Sequence, residues 1–211
     1  MSATLKRRAI SIPAVVVGLV VTTAILPLLL VGFLVADLLT GRLKLPLTRA
    51  LLFGWWYLFA ETTGLVLLGA SWLLTLGRRP ARDRQTYTIQ RWWAAWLTGA
   101  VRFLFNVRID VDEASARLSD GPYVVMMRHA SMVDTLLPAA LIAGPHRMHL
   151  RYVLKAELLA DPCLDVAGNR LPNVFVRRGR RGADIPAVAA LADDLGGQDA
   201  ILIYPEGTRF T

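Results

Sequence analysis

One cysteine, three histidines and a low share of charge set the first limits on this 211-residue chain. A single thiol, Cys163, cannot close an intrachain disulfide, so no disulfide framework holds the fold. His146 and His149 stand three apart, but no third ligand is spaced to join them, and no metal site is expected. Charged residues make up 19% of the chain, against about 25% in soluble domains. Acidic groups are the scarcer sign, 16 against 24 basic, which leaves a net charge of +8. Hydrophobic residues reach 55%, too much apolar surface for a disordered polar chain. There is no internal repeat and no low-complexity segment.

The missing charge is missing mostly from one end. Residues 1–76 hold only Lys6, Arg7, Arg8, Arg42, Lys44 and Arg49 as bases, and Asp37 and Glu61 as acids. Residues 9–36 hold no charge at all. At about 1.5 Å per helical residue, such a run is long enough for a hydrocarbon core of about 30 Å. Pro13 and Pro27 interrupt it, and Pro27 is expected to kink it. A second run, 50–76, is broken only by Glu61. A carboxylate at the bilayer centre costs about 2.5–3.5 kcal/mol, so Glu61 is expected to face another helix, sit among headgroups or carry a proton. Lys6-Arg7-Arg8 before an apolar run is similar to a secretory leader. The run exceeds the leader's apolar stretch of about 7–15 residues, so an uncleaved anchor is expected. The bases at the N-terminus, with Arg78, Arg79, Arg82, Arg84 and Arg91, put both ends of the hairpin on the cytoplasmic side. A hairpin that crosses the bilayer and one that re-enters a single leaflet both fit.

Three parts follow: an anchor of two apolar helices at 1–80, an amphipathic interfacial helix at 81–105, and a water-facing domain at 106–211. In the middle part Ile89, Trp92, Trp93, Trp96, Ala100, Phe103 and Leu104 recur at helical spacing with Arg91 and Arg102 among them. That pattern suits a helix at the lipid interface and equally a core helix of the next domain.

From residue 106 strand-like and helix-like segments alternate. Val107, Ile109 and Val111 alternate with polar neighbours and predict a half-buried strand. The continuous apolar runs 123–127 and 201–204 predict buried strands, and 150–154 and 173–176 are further strand candidates. Helices are expected over 132–143 and from Asp184, with Pro186 in the first turn and Ile185, Val188, Ala189, Ala192 and Leu195 on one face. Strands alternating with helices argue for an α/β fold, a mixed sheet flanked by helices, behind the membrane hairpin.

Three polar clusters follow predicted strands, where α/β proteins place their chemistry. Arg128-His129-Ala130-Ser131-Met132-Val133-Asp134 supplies an imidazole that titrates near neutrality and a carboxylate five residues on to orient it. Ser131 and Asp134 also fit a helix-capping box. Arg177-Arg178-Gly179-Arg180-Arg181 follows Phe175 and offers guanidinium groups to phosphate, whether of a substrate, of anionic headgroups or of nucleic acid. Tyr204-Pro205-Glu206-Gly207-Thr208-Arg209 sets an acceptor and a cation side by side, as a hydroxyl and phosphate site or as an ordinary loop ion pair.

Taken in order, these blocks resemble the 1-acylglycerol-3-phosphate acyltransferase-like family of glycerolipid acyltransferases. His129 and Asp134 match its H-x4-D block, Phe175 and Arg178 its second block, and Glu206, Gly207, Thr208 and Arg209 its E-G-T-R block. The stretch Lys155-Ala156-Glu157-Leu158 is similar to the segment between the first two. The resemblance covers about 100–211, with Arg128 where the family commonly has Asn and Pro172 where the second block usually opens with Gly. It implies a membrane-bound O-acyltransferase. His129 would be the general base, with Asp134 orienting it, Arg178 and Arg177 on the acceptor phosphate, and Glu206, Gly207 and Arg209 around the acceptor. It implies no cofactor and no metal, with acyl-CoA or acyl carrier protein as co-substrate, a lysophospholipid acceptor and membrane lipid as partners, and no nucleic acid. Phosphatidic acid is the expected product. The same fold acting on another lysophospholipid, a glycolipid or an aminolipid is the alternative, and a non-enzymatic protein binding anionic lipid is the remaining one. The expected setting is a cytoplasmic or inner membrane with the catalytic domain facing the cytoplasm. The chain stops two residues after Arg209, before the family's fourth block, so the domain is expected to be C-terminally incomplete.

Overall fold

The computed structural model describes residues 2–112, 121–128, 132–177 and 182–205. Its N-terminal half is three long helices: α1 (Ala3–Leu39), α2 (Pro46–Leu74) and α3 (Arg79–Phe105). Ser2 caps α1, its hydroxyl accepting the Leu5 N–H at 3.3 Å. Both prolines of the first run lie inside α1. At about 1.5 Å per residue α1 is roughly 55 Å long and α2 roughly 43 Å, and both are long and apolar enough to cross a membrane. They pack side by side: a Cβ on Gly18 would touch Leu58 at 3.7 Å, and the Trp55 indole donates to Thr23 at 2.9 Å. Their outward faces carry exposed Val17, Val20, Leu28, Val31, Val66 and Leu73. An apolar belt of that extent marks an interaction surface, for a membrane or for another protein.

The turn between α1 and α2 is closed by a charge. Asp37 is wholly buried, and its carboxylate accepts the Thr48 N–H and hydroxyl at 2.9 Å each and the Leu47 N–H at 3.2 Å. Those donors are unpaired in the first turn of any helix, so Asp37 caps α2 from the end of α1. α3 buries Thr86, Ala94, Leu97, Thr98 and Val101, packs on α2, and leaves Trp92 and Phe103 outward. Ile89 and Trp93 join the cluster of Leu68, Cys163 and Ala167. α3 is thus shared between protein and outer surface.

The rest is a sheet with short helices. Strands β1 (Tyr123–Met126), β2 (His149–Lys155), β3 (Val174–Val176) and β4 (Asp199–Ile203) lie in the order β1-β4-β2-β3. The sheet flanked by helices behind an apolar hairpin is as expected, and every described pairing in it is parallel. Parallel sheets are usually covered on both faces. β4 is, which explains the continuous apolar run 201–204, whereas β1, expected to be buried, lies at the edge of the described sheet and leaves Val124 and Met126 exposed. The core is Ala143, Met148, Leu150, Tyr152, Ala200 and Leu202. Helices α4 (Pro162–Gly168) and α5 (Ile185–Ala189) complete the set.

Some local expectations fail. Residues 107–112 form no strand; Val107 and Val111 are exposed, so the alternation had no buried face to serve. Residues 132–143 are not one α-helix but a 3₁₀ turn (Met132–Thr135) followed by a π-helical turn (Pro138–Ala143). α5 has five residues, too few for the face predicted on it: Ile185 is exposed and Leu191, just beyond, is the buried residue. Asp184 makes no side-chain cap to α5 and instead accepts the Arg177 N–H at 3.1 Å.

Candidate active site

Because the strands are parallel, their C-terminal ends share one edge. β1 runs into Met127 and Arg128, β4 into Tyr204 and Pro205, and β3 into Arg177. The registers are level there: Met126 pairs with Ile203, and Lys155 with Val176. Strands lie about 4.8 Å apart, so the ends of β1 and β4 are neighbours and β3 ends about 10 Å from β4. Lys155 closes β2 between them. One edge of about 15 Å therefore receives the starts of all three polar clusters.

His129, Arg178, Glu206, Gly207, Thr208 and Arg209 lie outside the described residues. Asp134, Phe175 and Arg177 lie within them. Asp134 is half-buried in the 3₁₀ turn after β1, and its carbonyl accepts the Tyr204 hydroxyl at 3.4 Å. The first and third clusters are thus tied through a residue two positions before Glu206. Burial, with the Asp134 charge added, pushes the Tyr204 hydroxyl up to about 12, so it stays a neutral donor. Arg177 is exposed at the end of β3, its backbone fixed by Asp184. Phe175 points its ring at α4: a Cβ on Gly168 would stand 2.7 Å from Cζ. Its described role is packing.

Other polar residues fall elsewhere. His149 stacks on Tyr87 of α3 at 4.4 Å and faces Asp199 at 3.4 Å, at the opposite edge of the sheet. Burial and the nearby Asp199 push the Tyr87 hydroxyl up to about 12. Cys163 is buried under α2, and burial with the nearby acids raises its thiol far above the ordinary value, so it is not a nucleophile. A cavity of about 460 Å³ lies away from the strand ends, between α2 and α3, among Leu52, Trp55, Trp56, Trp96 and Phe103. Glu61, expected against another helix, among headgroups or carrying a proton, is wholly buried, with Oε2 accepting the Cys163 N–H of α4 at 3.2 Å.

What the sequence did not reveal is the join between anchor and sheet. Asp165 in α4 is wholly buried, held by Arg7 at 2.8 and 3.0 Å and by Arg8 at 3.1 and 3.2 Å. The partners lie 158 and 157 residues apart, so no local pattern could have shown them.

A parallel α/β sheet whose strands lead at their C-terminal ends into the polar clusters, joined to a long apolar hairpin, defines a class. The family model named Acyltransferase matches residues 107–211. Over that region the chain belongs to the acyltransferase family, and the resemblance drawn from the three blocks is borne out. Among curated relatives, 1-acyl-sn-glycerol-3-phosphate acyltransferase alpha of Ovis aries is 30% identical over 110 residues, 52% of this chain and 37% of the relative. The Homo sapiens protein of the same name is 29% identical over 110 residues, 52% of this chain and 38% of the relative. The chain spans less than two fifths of the length of these relatives. No solved structure matches it significantly.

Proposed function

We propose that the protein transfers a fatty acyl group from a thioester to the free hydroxyl of a lysophospholipid, with lysophosphatidic acid as acceptor and phosphatidic acid as product. The observation that carries this reading is that β1, β3 and β4, the strands leading into the three blocks, end at one edge of a sheet that α4 joins to a hairpin long and apolar enough to cross a membrane. The relatives named for 1-acyl-sn-glycerol-3-phosphate support the choice of acceptor. His129 takes the hydroxyl proton, and the oxygen attacks the thioester carbonyl. The C–S bond then breaks, the ester C–O bond remains, and the proton passes from His129 to the leaving thiolate. Asp134 orients the imidazole and stabilises its charged form. Arg178, with Arg177, holds the phosphate, and Glu206, Gly207, Thr208 and Arg209 shape the acceptor pocket. The donor, acyl-CoA or acyl carrier protein, carries its own activation in the thioester, so the step calls for no cofactor or metal. The hairpin keeps the site at the cytoplasmic face of the membrane, where the acceptor lies.

The test is thiol release from acyl-CoA in the full-length protein, with and without lysophosphatidate. Wild type should depend on the acceptor, and His129→Ala should lose at least about a thousandfold of the rate, within the range of general-base catalysis. Retained activity in that variant defeats the assigned base, and a panel of lysophospholipid and aminolipid acceptors defeats the headgroup if another is preferred. Cysteines placed at Ser2 and Arg42, labelled from either side of sealed vesicles, test the membrane arrangement. Labels on opposite sides support a crossing hairpin, and labels on one side a re-entrant one.

A further inference from the structure

α4 touches the anchor on one side and β3 on the other. On the anchor side Asp161 opens it, with Oδ1 accepting the Leu164 N–H at 2.8 Å and Oδ2 accepting the Tyr57 hydroxyl of α2. Glu61 takes the next free N–H, that of Cys163. Gly64 lets the helices meet, since a Cβ there would stand 2.5 Å from the Cys163 sulfur. Arg7 and Arg8 of α1 close on Asp165, and Arg170, just past α4, donates to the Leu68 carbonyl of α2 at 2.9 Å. On the far side, Gly168 receives the Phe175 ring. Asn173 bridges what is left, donating to the Gly168 carbonyl at 3.1 Å and accepting the Tyr152 N–H at 2.7 Å. β3 is three residues long and, among the described residues, is hydrogen-bonded to β2 on one side only. A strand so short takes its lateral position from what packs against it.

We propose that α4 couples the membrane anchor to the acceptor-binding strand, with Asp165 and Gly168 as positioning residues for the lysophospholipid headgroup. This rests on the acyltransferase reading, because it takes the arginines after β3 as the headgroup clamp. Phe175 is two residues from Arg177 and three from Arg178. A shift of its ring is carried along the backbone to Arg177. Bidentate guanidinium–phosphate contacts tolerate little displacement, and a misplacement of about 1 Å can cost up to about a hundredfold. The headgroup clamp is therefore set only when the hairpin is docked.

The experiment uses the full-length protein in lipid nanodiscs. It compares wild type, Asp165→Asn, Gly168→Ala and the exposed-site control Lys6→Ala. It measures kcat and KM for acceptor and donor separately, and maleimide labelling of Cys163 mapped by mass spectrometry. Asp165→Asn and Gly168→Ala should each raise the acceptor KM about tenfold, with donor KM and kcat within about twofold. Asp165→Asn should also speed Cys163 labelling, and Lys6→Ala should match wild type. A merely structural role would lower the active fraction, and so the apparent kcat, while leaving the acceptor KM in place. That outcome in Gly168→Ala overturns the coupling. If Asp165→Asn fails to fold, Gly168→Ala decides, since it leaves every anchor contact intact. Wild type that acylates no lysophospholipid defeats the acyltransferase reading and this inference with it. An active wild type with an unmoved acceptor KM in Gly168→Ala defeats the coupling alone.

Discussion

Asp37 and Asp165 are both wholly buried, one at the distal turn of the hairpin and the other where the hairpin meets the sheet. Asp37 is satisfied by donors 10 and 11 residues away, the N–H groups and hydroxyl at the start of α2. Asp165 is satisfied across most of the chain by two guanidinium groups, with Asn169 adding a bond at 2.8 Å. The first solution is local and belongs to the hairpin as a unit. The second exists only when anchor and α/β part are assembled. A buried carboxylate costs free energy unless every oxygen finds donors, so the two sites show what each end of the hairpin is for. The distal end closes on itself, and the proximal end reports whether the protein is whole.

Substitutions should separate the two ends. The largest effect is expected from Gly64→Leu, because even a methyl group at residue 64 would press on the Cys163 sulfur. Overpacking typically costs about 1–3 kcal/mol for far smaller insertions. Cys163 should become open to maleimide, and protection as in wild type would show that α4 does not rest on α2. Next is acid sensitivity. Burial opposes ionisation of Asp165, but hydrogen bonds from Arg7 and Arg8 outweigh it and hold the carboxyl below its ordinary value. An aspartate of ordinary pKa, about 3.9, titrates in the unfolded chain. The stabilisation by Asp165 is then fully present above about pH 4 and is lost as pH falls through the lower folded value. Thermal unfolding of wild type and Asp165→Asn should differ by a constant amount above about pH 4 and converge in stronger acid. Divergence toward alkaline pH would contradict the assignment. A smaller effect is expected of Asp37→Ala: faster proteolytic nicking around 40–45, with Cys163 protection unchanged. If Cys163 is exposed as well, the two ends are not independent. The smallest is Arg8→Lys, which keeps the charge and loses the fork. Its Cys163 labelling should fall between wild type and Arg8→Ala.

Part of the sheet was legible because burial on both faces leaves its mark as an unbroken apolar run, as at 201–204. The alternation at 107–111 carried the opposite sign of evidence and misled, since a period of two means a strand only where one face is covered. α4 was missed although Asp161-Pro162 is a capping residue followed by proline at the first helical position, a readable start signal. Its seven residues are too few to show a period. Among the site residues, the order of the blocks along the chain was legible, and the parallel sheet supplies the shared edge that order alone could not. Phe175 shows the limit of motif reading. Its place in the second block marks it as substrate-facing, and its packing on Gly168 is not written there. Arg7 and Arg8 look like topogenic charges from sequence, and nothing within a hundred residues of them says otherwise.

The separation of those arginines from Asp165 has a consequence for how the protein is made. Arg7 and Arg8 leave the ribosome about 157 residues before their partner exists. At about 5–20 residues per second, that is roughly ten to thirty seconds. In the proposed membrane arrangement, those charges would be available to lipid headgroups during the interval. Once α4 has emerged, Asp165 takes up the same two side chains, so charges that would place the helix become the clasp that holds it.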